Sequence, residues 1–276
     1  MRVLSAGWPE VRERIRAAAA LAIFLDYDGT LTPIVSHPSK ARLSATTRRL
    51  LGELSRQQRI WVAVVSGRSL KELRRRVGVQ GLCYVGNHGL ELAGPKIRHI
   101  NPMARKSRPI IKKIAASLRK ELKKIPGAWV EDKGLTLSVH YRQAEPVKKL
   151  LARRRFHEVV RPYAEKKQVR LTAGKEVLEV RPPVRWTKGS VVSWLLARRR
   201  ALSRGPVLPV YIGDDLTDED AFRAIGKRGV TVRVGAGNPR TRARYRVRSP
   251  AEAARFLEII SHCQSSHLER SERSRF

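Results

Sequence analysis

Five short apolar runs constrain this chain more than any other feature: residues 21–25, Ile60–Val65, 82–85, 207–212 and Val230–Val234. The last, VTVRV, is shorter on apolar residues, while the first four are apolar at nearly every position rather than at alternate ones. That pattern belongs to strands buried on both faces, as in a parallel sheet covered by helices on each side. Amphipathic stretches separate them. A helix ends near residue 20. Ser44 reads as the N-cap of a helix to residue 56, and Ser69 as the cap of one to residue 76. Later helices are expected over 186–200, 218–225 and 251–260. Strand and helix alternating in this way predict an α/β fold.

The middle of the chain breaks that rhythm. Residues 102–125 read as a basic amphipathic helix with Ile110, Ile111, Ile114, Leu118 and Leu122 near one face. Two strands follow, around 129–131 and 135–141, turning at Lys133-Gly134. Pro146 opens a second helix to about residue 163, and a second hairpin over 169–180 turns near Gly174-Lys175. Helix, two strands, helix, two strands make an α+β unit of about 80 residues. The expected organisation is therefore a core over 1–101 and 184–262, a cap over 102–183 inserted into it, and a tail over 263–276 without fixed structure.

The 276 residues, 42% of them hydrophobic, are enough to bury a core. No apolar run approaches the roughly 20 residues that a bilayer span needs. The longest, residues 17–25, flows into Asp26-Tyr27-Asp28-Gly29 and reads as a helix end and a strand rather than as a leader. Cys83 and Cys263 are the only cysteines and match no metal spacing, which favours a reducing, cytoplasmic setting. The net charge of +34 draws anions, phosphorylated metabolites among them and nucleic acid non-specifically. No zinc-finger spacing or RNA-recognition motif accompanies the bases.

The acids are placed more tellingly than the bases. Of seven aspartates, Asp26 and Asp28 form one cluster, and Asp214, Asp215, Asp218 and Asp220 form another. Clustered carboxylates repel unless a cation neutralises them, which points to a hard divalent metal. Asp26, Ser66 and Asp214 each follow an apolar run, so a parallel sheet would collect them along the edge where such folds build their sites. Lys188 opens a helix entering the same region. A carboxylate such as Asp26 can attack phosphorus, and Asp28 can protonate the leaving oxygen and then activate water. Gly29 permits a tight loop with N–H groups turned to an oxyanion, Ser66 can donate to phosphate, and Lys188 can neutralise phosphoryl charge. Asp214 and its neighbours can hold Mg²⁺.

In this order, LDYDGTLTPI (25–34), SGR (66–68), a lysine and GDDLTDEDAF (213–222) resemble the haloacid dehalogenase superfamily of phosphatases. GNHGLE (86–91), EDKGLTLSVHYR (131–142), GKEVLEVRPP (174–183) and WTKG (186–189) narrow the resemblance to the trehalose-6-phosphate phosphatase family. The resemblance implies a Rossmann-like core with an inserted cap, Asp26 as nucleophile and Asp28 as acid/base. It implies Mg²⁺ held by Asp26, the main-chain carbonyl of Asp28 and Asp214, with Asp215 or Asp218 assisting through water or orienting Lys188. It also implies hydrolysis of trehalose 6-phosphate through an aspartyl phosphate, in functional coupling with a separate synthase. Substrate contacts are expected from Gly29, Thr30, Gly67, Arg68, Asn87 and His88. The cap hairpins offer Glu131, Lys133, Arg142, Lys175 and Glu176 to sugar hydroxyls. The alternatives are a phosphatase of another sugar phosphate, such as sucrose phosphate or mannosylphosphoglycerate, and a basic nucleic-acid-binding protein.

Overall fold

The computed structural model describes residues 1–35, 37–174, 176–236 and 240–273, the last ten by backbone alone. The chain forms two compact units, one of Met1–Arg98 with Trp186–Phe276 and one of His99–Arg185.

The first unit begins with β1 (Arg2–Val3), α1 (Leu4–Ala17), β2 (Ala20–Leu25), α2 (Ala45–Arg56), β3 (Ile60–Val65), α3 (Leu70–Val77), β4 (Cys83–Gly86) and β5 (Glu91–Gly94), and the boundary between the units falls within β6 (Ile97–Ile100). In the second unit lie α4 (Pro102–Leu122), β7 (Trp129–Asp132), β8 (Leu137–His140), α5 (Pro146–Glu165), β9 (Arg170–Gly174) and β10 (Val177–Arg181). The chain then returns to the first unit with α6 (Lys188–Leu202), β11 (Val207–Gly213), α7 (Glu219–Ile225), β12 (Val230–Val234), β13 (Tyr245–Val247) and α8 (Pro250–Arg273).

Among the described residues, the large sheet has the order β1-β13-β12-β11-β2-β3-β4-β5-β6. Pairing is parallel from β1 to β4 and antiparallel from β4 to β5. Along β2 the side chains alternate between two cores. Leu21, Ile23 and Leu25 pack in one, with residues of α1, α2, α3 and α8. Ala22 and Phe24 pack in the other, with α6 and α7. Each fully buried Leu, Ile or Phe is worth about 1.5–3 kcal/mol of transfer free energy, so covering both faces fixes β2 at the centre. With β11 on one side of β2 and β3 on the other, the strand order turns there. Open α/β sheets form their crevices outside the strand ends at such a point.

The second unit is a four-stranded antiparallel sheet, β7-β8-β10-β9. Val130, Val139 and Leu178 lie in register, as do Leu137, Val180 and Leu171, and this face packs on α4 and α5. The opposite face carries Glu131, Ser138, Glu179 and Thr172 as one transverse row.

Four features depart from the sequence expectation. The β5–β6 hairpin and the two-residue β1 were not anticipated. They are too short for periodicity to register, and the hairpin turns through Lys96 at a positive φ of 57°. β13 is a three-residue strand held on β12. The final helix does not end at residue 260 but runs to Arg273, while 274–276 lie outside the described residues. Polarity suggested an unstructured tail, but the segment has neither Gly nor Pro after Pro250, and Glu, Arg, Gln and Leu all extend helices readily.

Candidate active site

Asp26 follows the last residue of β2, and its N–H donates to the Ile212 carbonyl of β11 at 2.9 Å. Its carboxylate is therefore fixed at the turning point of the sheet, 5% exposed. Lys188, the first residue of α6 and 3% exposed, donates to Asp26 Oδ1 at 2.6 Å and to Asp218 Oδ1 at 2.7 Å. Thr187 caps that helix by accepting from the Ser190 N–H, so the cap also sets where the lysine starts.

Asp218 accepts four hydrogen bonds. Lys188 and the Tyr211 hydroxyl, at 2.7 Å, share Oδ1, while the N–H groups of Asp214 and Asp215, each at 3.0 Å, share Oδ2. That uses its lone pairs fully. Of the two residues left open by the sequence, Asp218 orients Lys188, and Asp215 is exposed. Asp214 stands beside them, with Oδ1 accepting from Thr30 at 3.3 Å. Gly29, at φ +83°, leaves room for it: a Cβ there would sit 2.1 Å from Asp214 Oδ2.

The carboxylates of Asp26, Asp214 and Asp218 offer oxygens within 4.8 Å of one another. Burial first, then Asp218, pushes the Asp214 carboxyl up to about 7. Burial likewise raises Asp26, with Asp218 and Asp214 adding to it against the opposing Lys188. Burial works against the charge on Lys188, but Asp218 and Asp26 outweigh it and hold the lysine as a cation. With all three ionised, the carboxylates would exceed the one ammonium by two negative charges, and the raised values show that this state needs a cation; a divalent one would balance it. The donors are all hard oxygens, so the residues fit Mg²⁺. Asp26 and Asp214 retain oxygens for it, whereas Asp218 has none to spare.

Ser66 follows β3 and is buried, with its N–H on Val85 O at 2.9 Å and its Oγ accepting from Arg68 N at 3.2 Å. The loop after β4 is tied to it: Asn87 N–H donates to Arg68 O at 2.7 Å and His88 N–H to Ser66 O at 2.9 Å. Gly67 is needed because a Cβ there would lie 2.6 Å from the His88 ring. Asn87 donates from Nδ2 to Glu91 at 2.6 Å, and Glu91 also accepts from Leu70 N–H at 2.8 Å. Glu91, the last residue of GNHGLE, thus holds the two loops together.

Arg68 differs from the expectation of a substrate contact. It is 5% exposed and grips Asp28 with two bonds, Nε to Oδ2 at 2.7 Å and one terminal nitrogen to Oδ1 at 2.6 Å. Two more donors go to Glu72 at 2.5 Å and Pro38 O at 2.9 Å. The side chain is a brace for Asp28, because four of its five donors go to protein groups.

In the second unit the structure separates the candidates. Glu131 and Lys133 belong to the polar sheet face, where Lys133 lies 3.7 Å from Glu131 and 3.6 Å from Glu179. Glu131 also meets His140 at 2.7 Å, and His140 stacks on Trp129 with ring centroids 4.2 Å apart. Glu179 accepts from Ser138 and Thr172, each at 3.2 Å, and from Arg181. Arg142 and Glu176 instead pair with each other at 3.7 Å, and Glu176 takes Lys149 at 2.5 Å. Lys175 lies outside the described residues. Glu179 was missed, although its signal was present: between Leu178 and Val180 in an alternating strand it must face away from the core.

A family model for trehalose-phosphatase matches residues 24–251. The trehalose-phosphate phosphatase of Mycobacterium tuberculosis strain H37Rv is 40% identical over 247 residues, covering 87% of this chain and 61% of that protein. That of Mycolicibacterium paratuberculosis is 41% identical over 261 residues, covering 91% and 63%. The chain thus spans about three fifths of the length of these curated relatives. Among solved structures, the C-terminal domain of the Candida albicans trehalose-6-phosphate phosphatase superposes with a TM-score of 0.77 at 27% identity, covering 92% of this chain and 96% of that one. A trehalose-6-phosphate phosphatase related protein gives 0.77 at 27%, covering 89% and 99%. The model match across most of the chain and the identity to the mycobacterial enzymes agree with the geometry of the strand-end cluster: the chain belongs to the trehalose-phosphatase family.

Proposed function

We propose that this protein hydrolyses trehalose 6-phosphate to trehalose and inorganic phosphate through an aspartyl-phosphate intermediate. The carrying observation is the buried Asp26, held between Lys188 and β11 with Asp214 beside it. Asp26 attacks phosphorus, forming an acyl phosphate as the bond to the sugar oxygen breaks. Asp28 gives a proton to that oxygen, then takes one from the water that cleaves the acyl phosphate. For either transfer one Asp28 oxygen must leave the Arg68 fork, which engages both. Lys188 keeps Asp26 oriented and balances charge. Ser66 and the Thr30 N–H bind phosphoryl oxygens, whereas the Gly29 N–H, expected to face the oxyanion, is already spent on Thr32 O at 2.8 Å. Mg²⁺ on Asp26 and Asp214, with the Asp28 carbonyl, would neutralise the charge building on the phosphoryl group.

Sugar recognition belongs to the polar sheet face of the second unit. Glu131 and Glu179 accept from hydroxyls and Lys133 donates to them, a set able to read several positions at once. The free thiols of Cys83 and Cys263, with no disulfide among the described residues, support a cytoplasmic setting. No described helix is long and apolar enough to cross a membrane. The substrate would come from a separate glucosyl-transferring synthase. The test is phosphate release from trehalose, sucrose and glucose 6-phosphates and from mannosylphosphoglycerate, with and without Mg²⁺. Strong preference for trehalose 6-phosphate supports the reading, and preference for another sugar phosphate overturns it.

A further inference from the structure

We propose that the outer face of α4 is a docking surface for duplex DNA, bound without regard to sequence. Residues 102–124 carry Arg105, Lys106, Arg108, Lys112, Lys113, Arg119, Lys120, Lys123 and Lys124 against one acid, Glu121. All nine are exposed. Ala104, Ser107, Ile111, Ile114, Ala115, Leu118 and Leu122 fill the opposite side. At 100° per residue the nine bases occupy an arc of about 160°, so nearly the whole solvent side of the helix is cationic.

The neighbouring helix is better balanced in charge, although its Arg153 has no ion pair among the described residues. On α5, Lys148 pairs with Glu145, Lys149 with Glu176, Arg154 and Arg155 with Glu158, and Arg161 with Glu165. On α4 and the turn after it, Arg119 meets Asp132 at 3.4 Å, and the other eight have no ion pair among the described residues. Pairs such as Arg108 and Lys112, or Lys120 and Lys124, set like charges four residues apart, which weakens a helix unless an anion lies across them. Lysine use points the same way. The chain has 41 Arg to 17 Lys, yet six of those lysines fall within these 23 residues.

The arrangement selects the occupant. The apolar side of α4 is already buried, so the helix has no face to insert into a bilayer, and binding must be electrostatic. The bases form two rows, Arg105, Arg108, Lys112, Arg119 and Lys123 in one and Lys106, Lys113, Lys120 and Lys124 in the other. Each row extends over about 26–28 Å at 1.5 Å per residue, roughly eight base-pair steps. Two rows on a helix about 10–12 Å across match the two phosphate walls of a B-form major groove, about 12 Å wide. The deep, narrow major groove of A-form RNA does not admit them.

The test is fluorescence anisotropy of the full chain with a labelled 20-base-pair DNA duplex of mixed sequence, between 50 and 200 mM salt. With about six phosphates engaged, log K against log salt should have a slope near −5. Replacing Arg108, Lys112, Lys113 and Lys120 by Gln should flatten it to about −2 and weaken binding at least tenfold at 100 mM. Phosphate release from trehalose 6-phosphate should change less than about twofold. The charge-keeping variant Arg108→Lys with Lys112→Arg, Lys113→Arg and Lys120→Arg should retain the slope, which separates charge from folding. A control with Arg12, Arg42, Arg74 and Arg75 replaced by Gln removes the same charge from the first unit. Equal weakening by both Gln sets would overturn the proposal, as would no binding by the unaltered chain. So would binding of double-stranded RNA, inorganic polyphosphate or phosphatidylglycerol vesicles as tight as that of DNA at the same salt.

Discussion

Tyr211 decides how firmly Lys188 is held. Its hydroxyl donates to Asp218 Oδ1, the same oxygen that Lys188 uses, and its ring is wedged between Phe24 and Phe222. Tyr211→Phe keeps that packing and removes one of four donors to a buried carboxylate. Stability should fall by about 1–3 kcal/mol, read by chemical denaturation. The rate constant kcat should fall about tenfold with KM nearly unchanged, because Asp218 and Lys188 position Asp26 rather than grip the sugar. A rise in KM with kcat intact would remove Tyr211 from this role. Asp26→Asn tests the nucleophile itself: turnover should drop by roughly 10⁴-fold or more, with no acid-trapped phosphoenzyme. Asp28→Asn should cost about 10²–10⁴-fold, the usual worth of a general acid/base. The placement of Asp26, Ser66 and Asp214 was legible because each closes an apolar run. The engagement of Arg68 by protein groups was not, since it depends on Asp28, Glu72 and Pro38, which converge only after folding.

Elements, rather than single residues, decide which polar groups in the second unit act together. The antiparallel register sets Glu131 beside Ser138, Ser138 beside Glu179 and Glu179 beside Thr172. Glu176 falls outside that row and is engaged by Arg142 and Lys149. Sequence alone could nominate both hairpins as polar, but turn residues such as Glu176 stand out in a string, whereas Glu179 is visible only through strand alternation. Glu131→Ala, Lys133→Ala and Glu179→Ala should therefore each lower kcat/KM for trehalose 6-phosphate by 10-fold or more, since an unpaired buried polar group costs about 1–3 kcal/mol. Glu176→Ala should have the smaller effect of the four. Hydrolysis of p-nitrophenyl phosphate, which lacks the sugar, should be nearly unchanged in all. Equal loss of both activities would make the row structural instead.

The whole molecule sets a negative centre inside a strongly positive chain. The net charge is +34, yet Asp26, Asp214 and Asp218 meet with only Lys188 paired to them among the described residues. The topology explains the contrast: β2 lies between β11 and β3, so the strand ends bring residues 26, 66 and 214 to one edge from across the chain. That convergence was legible once the runs were recognised as parallel strands, whereas β1, β5, β6 and β13 were too short to be seen. A centre built this way is strained without a divalent cation, because like charges share a buried site. Mg²⁺ held by Asp26 and Asp214 in the folded state alone would stabilise the first unit. At 100 times the dissociation constant the gain is about 2.7 kcal/mol. For a unit of this size that raises Tm by roughly 5–10 °C. Thermal melts with EDTA and with Mg²⁺ should show the shift in the transition of the first unit. The double variant Asp26→Asn with Asp214→Asn should melt at least as high as the unaltered chain in EDTA, since it relieves the repulsion, and should gain little from Mg²⁺. If that variant gains as much from Mg²⁺ as the unaltered chain does, the ion is held elsewhere.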